Sequence, residues 1–327
     1  MAVRMDCAQV KVAKKILGLI AAVVLLAINI GYCCYANAQA PSRLTASTQD
    51  AMTGLSLANI RARSGGQKPL PKLEMGVGVS SALLDDYPGA DQMHYVWLPV
   101  PYFIYRGNFL RSDQNGNLRG VFLNSTEIDI DASVAGSFPV NSADDQARQG
   151  MPNLDWMGEF GPRVLIHLIH KPRMTVNFSL PVRWVMSTDF TQIDGRGFDF
   201  NPELVFSHGL GFDPHGTIVA YYGALWGTSE LTRYFYDVAP QYATPSRPAY
   251  SAEPGYMYDY VGFTYHHAPS SKSRFLYFCG VDSSFFAGSA NRRSPLMRSI
   301  QNQSFYAGII YEFYRSQETD KSGAVIE

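Results

Sequence analysis

Between Arg173 and Trp184, polar and apolar side chains alternate without a break. Met174, Val176, Phe178, Leu180, Val182 and Trp184 stand between Arg173, Thr175, Asn177, Ser179, Pro181 and Arg183. A period of two kept up for this long suits an extended strand whose two faces meet different media. Two more segments repeat it. In 127–138, Ile128, Ile130, Ala132, Val134 and Phe138 alternate with Glu127, Asp129, Asp131, Ser133 and Ser137. In 198–207, Phe198, Phe200, Leu204 and Phe206 alternate with Asp199, Asn201, Glu203 and Ser207. No helical period of this strength appears after the first 38 residues. Less regular strands fit at 73–82, 95–105, 108–112, 118–123, 156–168, 217–227, 256–267, 274–286 and 303–314, which makes twelve in all. Pro99, Pro101 and Pro162 fall inside proposed strands and weaken them, because proline removes a ladder donor.

Alternation alone leaves two architectures open. A soluble sandwich turns its apolar face inward, whereas a membrane barrel turns it outward to lipid. Length separates them, since soluble strands average about five or six residues and tilted spanning strands need about 9–11. The clear runs here are ten to twelve residues long, which favours the membrane barrel. Composition agrees: charged residues are 17% of the chain, against roughly 25% in an ordinary soluble domain. Aromatics at 13% and hydrophobics at 46% exclude a disordered chain. A net charge of −1 gives no basic footprint, so nucleic acid is not an expected partner.

The connections sort into two sides. Those at 83–94, 113–117, 139–155, 187–197, 228–255 and 287–302 fall on one, and those at 106–107, 124–126, 169–172, 209–216 and 268–273 on the other. Long outer loops and short periplasmic turns are the outer-membrane pattern, with 113–117 the short exception. Trp97, Trp156, Trp184 and Trp226 all fall at long-loop strand ends, where an interfacial aromatic girdle belongs. The expected fold is all-β: a closed antiparallel transmembrane β-barrel of about 12 strands, with outer-membrane lipid around it.

The N-terminus reads as an address. Arg4, Lys11, Lys14 and Lys15 precede an apolar run from Ile16 to Ile30, and Ala36-Asn37-Ala38 forms a small-x-small site before Gln39. Together these describe a secretory signal peptide over 1–38, cleaved near Ala38 after Sec-type export. An uncleaved anchor is the alternative, because the apolar stretch continues to Tyr35 and approaches spanning length. Lipidation at Cys33 fits less well, since the bulky Tyr32 precedes it. Cleavage removes Cys7, Cys33 and Cys34 and leaves Cys279 alone, so the mature chain has neither a disulfide nor a cysteine zinc cluster. Residues 39–72 read as a flexible periplasmic lead-in with room for one short helix near 50–60. The barrel then occupies 73–314 and a polar periplasmic tail 315–327.

Gly76-Val77-Gly78, Asp86-Tyr87-Pro88-Gly89-Ala90-Asp91, Leu98-Pro99-Val100-Pro101-Tyr102, and the run from Arg148 through Gly150-Met151-Pro152-Asn153 to Asp155 form an ordered series. Tyr234-Phe235-Tyr236 with Tyr256, Ser294-Pro295-Leu296, and Tyr306 through Gly308 to Phe313 complete it. The series resembles the MltA-interacting protein / OmpV (MipA/OmpV) family of Gram-negative outer-membrane proteins. Gly308, Tyr311 and Phe313 also look like the C-terminal assembly signal read by the barrel-assembly machinery, although here the chain runs on past Tyr314. The resemblance implies a non-enzymatic scaffold that holds a murein lytic transglycosylase near a bifunctional murein synthase. An outer-membrane channel or uptake porin with a partly plugged lumen is the alternative, and a membrane-embedded lipid hydrolase a distant third.

The residues themselves suggest no catalytic, cofactor or metal site. His167 and His170 have a ligand-like spacing, but i and i+3 on a regular strand face opposite ways. His266-His267 end a strand and suit the interface. No G-x-S-x-G occurs and no Ser–His pairing stands out. Glu127, Asp129, Asp131, Arg173, Arg183, Asp199 and Glu203 alternate with apolar neighbours and should line the lumen, either as a salt-bridged filling or as the wall of a pore. The loop 228–255, with Tyr234, Tyr236, Tyr242, Tyr250, Arg233 and Arg247, is either a binding surface or a fold over the mouth.

Overall fold

The computed structural model describes residues 71–105, 110–112, 118–124, 127–171, 173–270 and 272–317. The expected signal peptide, nearly all of the lead-in and the tail beyond 317 lie outside the described residues, as do 106–109, 113–117 and 125–126. The described residues begin with five strands: β1 (Leu73–Asp85), β2 (Met93–Tyr105), β3 (Leu110–Ser112), β4 (Leu118–Asn124) and β5 (Ile128–Ser137). Then come β6 (Trp156–Lys171), β7 (Met174–Thr188), β8 (Ile193–Phe200), β9 (Glu203–Gly209) and β10 (Gly216–Gly227). A short helix, α1 (Ser229–Tyr236), precedes β11 (Gly255–His267), β12 (Phe275–Phe285) and β13 (Gln301–Arg315). No described helix is long and apolar enough to cross a membrane.

All thirteen strands join one sheet in the order β2-β1-β13-β12-β11-β10-β8-β7-β6-β5-β4-β3, with β9 pairing β10 and β7. Every pairing is antiparallel, and β1 pairs with the last strand, β13, over ten residue pairs. The two ends of the order, β2 and β3, are consecutive in the chain, and β2 also lies near β4. The run expected as a single strand over 198–207 is two, because Asn201-Pro202 interrupts it. Pro202 has no N–H to give the ladder, so β8 and β9 pair the same neighbours on either side of the break.

The long connections are shorter than the sequence suggested, since strands extend past the regular alternation. The first closes to 86–92 and the fourth to 189–192. A helix in 228–255 was not expected. At eight residues it is too short to print a period on the sequence, and its buried residues Leu231, Thr232, Phe235 and Tyr236 hold it by packing rather than by capping.

The sheet is inverted relative to a soluble protein. Along β7 buried and less buried positions alternate over the whole strand, and the buried set is Thr175, Asn177, Ser179, Pro181, Arg183, Val185 and Ser187. Apart from Pro181 and Val185, the apolar residues of the same strand face the other way, Val182 being 43% exposed. Across the sheet the exposed face carries Val77, Val134, Phe160, Phe198, Val261, Phe305 and Phe313, while the sheltered face carries Glu74, Asp131, Glu159, Arg183, Asp199 and Asp282. Apolar exposure on this scale is tolerated only against lipid, and polar burial only where partners are supplied.

Above the long-connection end the loops make a core of their own. Leu84, Tyr87, Ala90, Val140, Leu154, Leu231, Phe235, Tyr236, Val238, Phe286, Leu296 and Met297 are all buried there. These residues come from four different connections and the adjoining strand ends, so the loops form a packed cap.

Candidate functional site

The polar face is organised around two arginines. Arg183 is 2% exposed, and its Nε lies 3.1 Å from Glu159 Oε2 while its Nη2 lies 3.0 Å from Asp199 Oδ2. The same Nη2 donates to Asn201 Oδ1 at 3.2 Å. Arg163 makes a two-point contact with Asp131, at 2.9 and 3.1 Å. Buried guanidinium–carboxylate pairs of this kind hold only with good geometry and further hydrogen bonds, and both are present here. His167 adds a smaller group, with Nδ1 3.0 Å from Asn177 Oδ1 and Nε2 3.3 Å from Asp129 Oδ2.

The other half of that face is aromatic. Tyr260 donates to Glu203 at 2.8 Å and accepts from Asn201 at 2.8 Å, which links it to Arg183. Tyr221 donates to Asp282, and Tyr306 lies 2.6 Å from Thr264 Oγ1. The rings are seated by one device. Tyr221, Tyr260, Phe278 and Tyr306 each precede a glycine by two residues, at Gly223, Gly262, Gly280 and Gly308. Antiparallel pairing sets Tyr221 opposite Gly262 and Tyr260 opposite Gly223, then Phe278 opposite Gly308 and Tyr306 opposite Gly280. Each ring covers the partner strand's glycine so closely that a Cβ there would collide with it.

Of the residues expected to line the interior, Asp129, Asp131, Arg183, Asp199 and Glu203 are buried on the polar face, and Arg183 and Asp199 are direct partners. Glu127 and Arg173 are exposed instead. Each sits one residue outside its strand, where the short turns release the side chain from the alternation. Asn177 and Asn201, read among the polar positions of the alternation, belong to the site, and so do Glu159, Arg163 and the tyrosines, which went unread. Glu159 and Arg163 share a strand with Pro162 and two glycines, which blurs the period there. The aromatic-x-glycine repeat is the signal that would have found the tyrosines.

The four tryptophans lie toward the long-connection ends of their strands, on the side opposite the polar face. Trp97, Trp156 and Trp226 are exposed, and Trp184 is half-buried and lies deeper, opposite Phe198. Tyr311 and Phe313 are exposed on β13, and Gly308 lies under the Phe278 ring. His167 and His170 do not point opposite ways. A bulge between His167 and Ile169 shifts the alternation and brings the two rings to 6.5 Å. Among the described residues no group of three His, Cys, Asp or Glu side chains is placed to hold a metal ion.

The cap is fastened by the segments that carry the resemblance. Arg148 donates from Nη1 to Phe235 O at 3.2 Å, from Nε to Ser142 Oγ at 3.2 Å, and from Nη2 to Pro152 O at 3.2 Å. Arg247, also buried, donates to the carbonyls of Tyr242, Ala147 and Gln149. Tyr87 donates to Leu296 O and Ser294 to Tyr236 O, both at 2.8 Å. Gly89 takes the left-handed backbone, φ 88°, that this turn requires. Its carbonyl accepts from Arg298 N and Ser299 N. The loop 228–255 is thus folded over, with Tyr236 and Arg247 buried inside the cap.

Beneath it, His94 Nδ1 lies 2.6 Å from Asp86 Oδ1. Asp145 is fully buried and has the Asp86 carboxyl within hydrogen-bonding reach. Burial first, and then that neighbouring carboxyl, push the Asp145 carboxyl up to about 7.

The family model of MltA-interacting protein MipA matches residues 77–313. The chain belongs to the MipA family. Family membership and the inverted faces of the sheet point to an outer-membrane β-barrel protein. No curated protein matches the chain. Among solved structures it is similar to a NanC porin at 9% identity and TM-score 0.34, covering 73% of this chain and 98% of that one. A bacterial polysaccharide outer membrane secretin is 8% identical at TM-score 0.36, with 76% and 100% covered. A Pseudomonas aeruginosa FadL homologue is 10% identical at TM-score 0.33, with 81% and 98% covered. At TM-scores this low these likenesses carry no argument about what a MipA-family chain does.

Proposed function

We propose that the protein is a closed, plugged outer-membrane barrel that serves as a non-enzymatic structural partner for murein-hydrolysing and murein-synthesising enzymes. In this reading β2 meets β3 to close the sheet, the polar face lines the interior, and the short turns face the periplasm. The observation that carries it is the filling of that face. Arg183, Glu159, Asp199, Tyr260 and Tyr221 are buried against one another beneath a packed cap, an arrangement suited to a rigid platform. The family's printed name, MltA-interacting protein, supplies the murein connection at family level.

The test is a crosslinked pull-down from cell envelopes, with the tag after Phe313. Recovery of a lytic transglycosylase together with a murein synthase, lost when 39–72 is deleted, is the expected result. Recovery of the barrel-assembly machinery alone would remove the scaffold reading.

A channel is the second reading, favoured by the polar character of the interior. Large, stable conductance steps that a bulky substitution on the polar face abolishes would establish it in place of the plug.

A further inference from the structure

We infer that the short-turn rim of the barrel binds the anionic phosphate headgroups of phospholipids in the membrane leaflet it faces. The proposal rests on the outer-membrane reading and goes beyond it by assigning the rim a ligand.

Lys171 and Arg173 flank the β6–β7 turn, and Lys272 and Arg274 lie in the β11–β12 connection; all four are exposed. Arg315, which ends β13, is instead paired with the Glu312 carboxylate. Arg173 Nη2 donates to Leu210 O at 3.2 Å, and Arg274 Nη1 to Phe313 O at 3.1 Å, which holds each guanidinium at its strand end. Against these cations Glu127 is the one exposed carboxylate at that end among the described residues, because Glu74, Asp213 and Glu312 are buried. The opposite end is mixed: Asp91, Asp144, Glu230 and Glu253 are exposed there beside Arg233, Arg292 and Arg293.

Depth selects the occupant. Leu168, Phe212, Phe275, Phe313 and Tyr314 are exposed beside the cations, Phe212 at 67%. The charges therefore stand at the border of the apolar belt, the height of a lipid phosphate. A murein strand or soluble partner would meet the protein farther from that belt. Surface cations beside an apolar belt attract anionic lipid additively, on the order of fivefold per Lys or Arg.

The experiment is native mass spectrometry of the full chain in detergent with an equimolar mixture of phosphatidylglycerol and phosphatidylethanolamine. The wild type is expected to retain phosphatidylglycerol preferentially. The variant Lys171→Gln/Arg173→Gln/Lys272→Gln/Arg274→Gln is expected to lower that preference by at least about tenfold. Arg233→Gln/Arg293→Gln, at the other end, is expected to keep it. Equal retention of both lipids by the wild type, or a preference that survives the four substitutions, would overturn the proposal. A chain that enters vesicles of neither lipid, read as unchanged gel migration on heating, would overturn the membrane reading beneath it.

Discussion

Arg183 shows how a single residue is committed by its partners. With Glu159, Asp199 and Asn201 around it, the guanidinium neutralises charge that has no water to turn to. Removing it leaves carboxylates buried and unpaired, so Arg183→Ala should destabilise the protein by about 3–5 kcal/mol. Adding Glu159→Gln and Asp199→Asn should recover much of that loss, as read by urea midpoints of the refolded barrel. Asp145 is committed differently. Its carboxyl ordinarily titrates at 3.8 and is raised to about 7 in the fold, so the folded cap holds a proton that the unfolded chain releases. Stability from this group is therefore greatest in acid and is lost as pH rises from about 4 through about 7. Asp145→Asn, which supplies a donor to Asp86 at every pH, should flatten that dependence by on the order of 2 kcal/mol in thermal scans at several pH values. At this scale the alternation exposed Asp131, Arg183 and Asp199. Asp145 stayed hidden because its neighbour Asp86 is far away in sequence and in a loop, where no period operates.

Elements were legible in proportion to their regularity. β5 and β7 lie where the alternation put them, since one face must meet lipid and the other polar partners along the whole strand. β8 and β9 were fused in the reading because Phe198, Phe200, Leu204 and Phe206 keep phase across Pro202, which breaks the ladder but not the period. α1 was missed for the opposite reason, being held by contacts distant in sequence. The pairing of β10 with β11 and of β12 with β13 depends on rings seated over glycines. Gly262→Val should displace the Tyr221 ring and its bond to Asp282, lowering stability by about 1–3 kcal/mol. The loss should appear as an earlier melting transition in near-ultraviolet circular dichroism, where tyrosines report.

For the whole molecule the separation of faces was readable, and of the cap only that loop 228–255 could fold over the mouth. The inverted sheet follows from strand length and alternation, which are local. The cap depends on Arg148, Arg247 and Gly89 meeting partners from other loops, and no local pattern announces such meetings. If cap and filling together close the barrel, the intact protein in planar bilayers should show no large conductance steps. Deleting 240–252 should loosen the cap and leave the filled polar face in place, so steps should remain absent. Their appearance in the deletion alone would locate the closure in the cap.

The ring-over-glycine hairpins also bear on how such a barrel came to have its size. β10–β11 and β12–β13 are drawn to one plan, each strand supplying the ring and the seat that the other needs. A copied segment of this kind arrives already complementary to itself, and only its two outer edges must find new partners. Circumference in this architecture can therefore grow by duplication, two strands at a time.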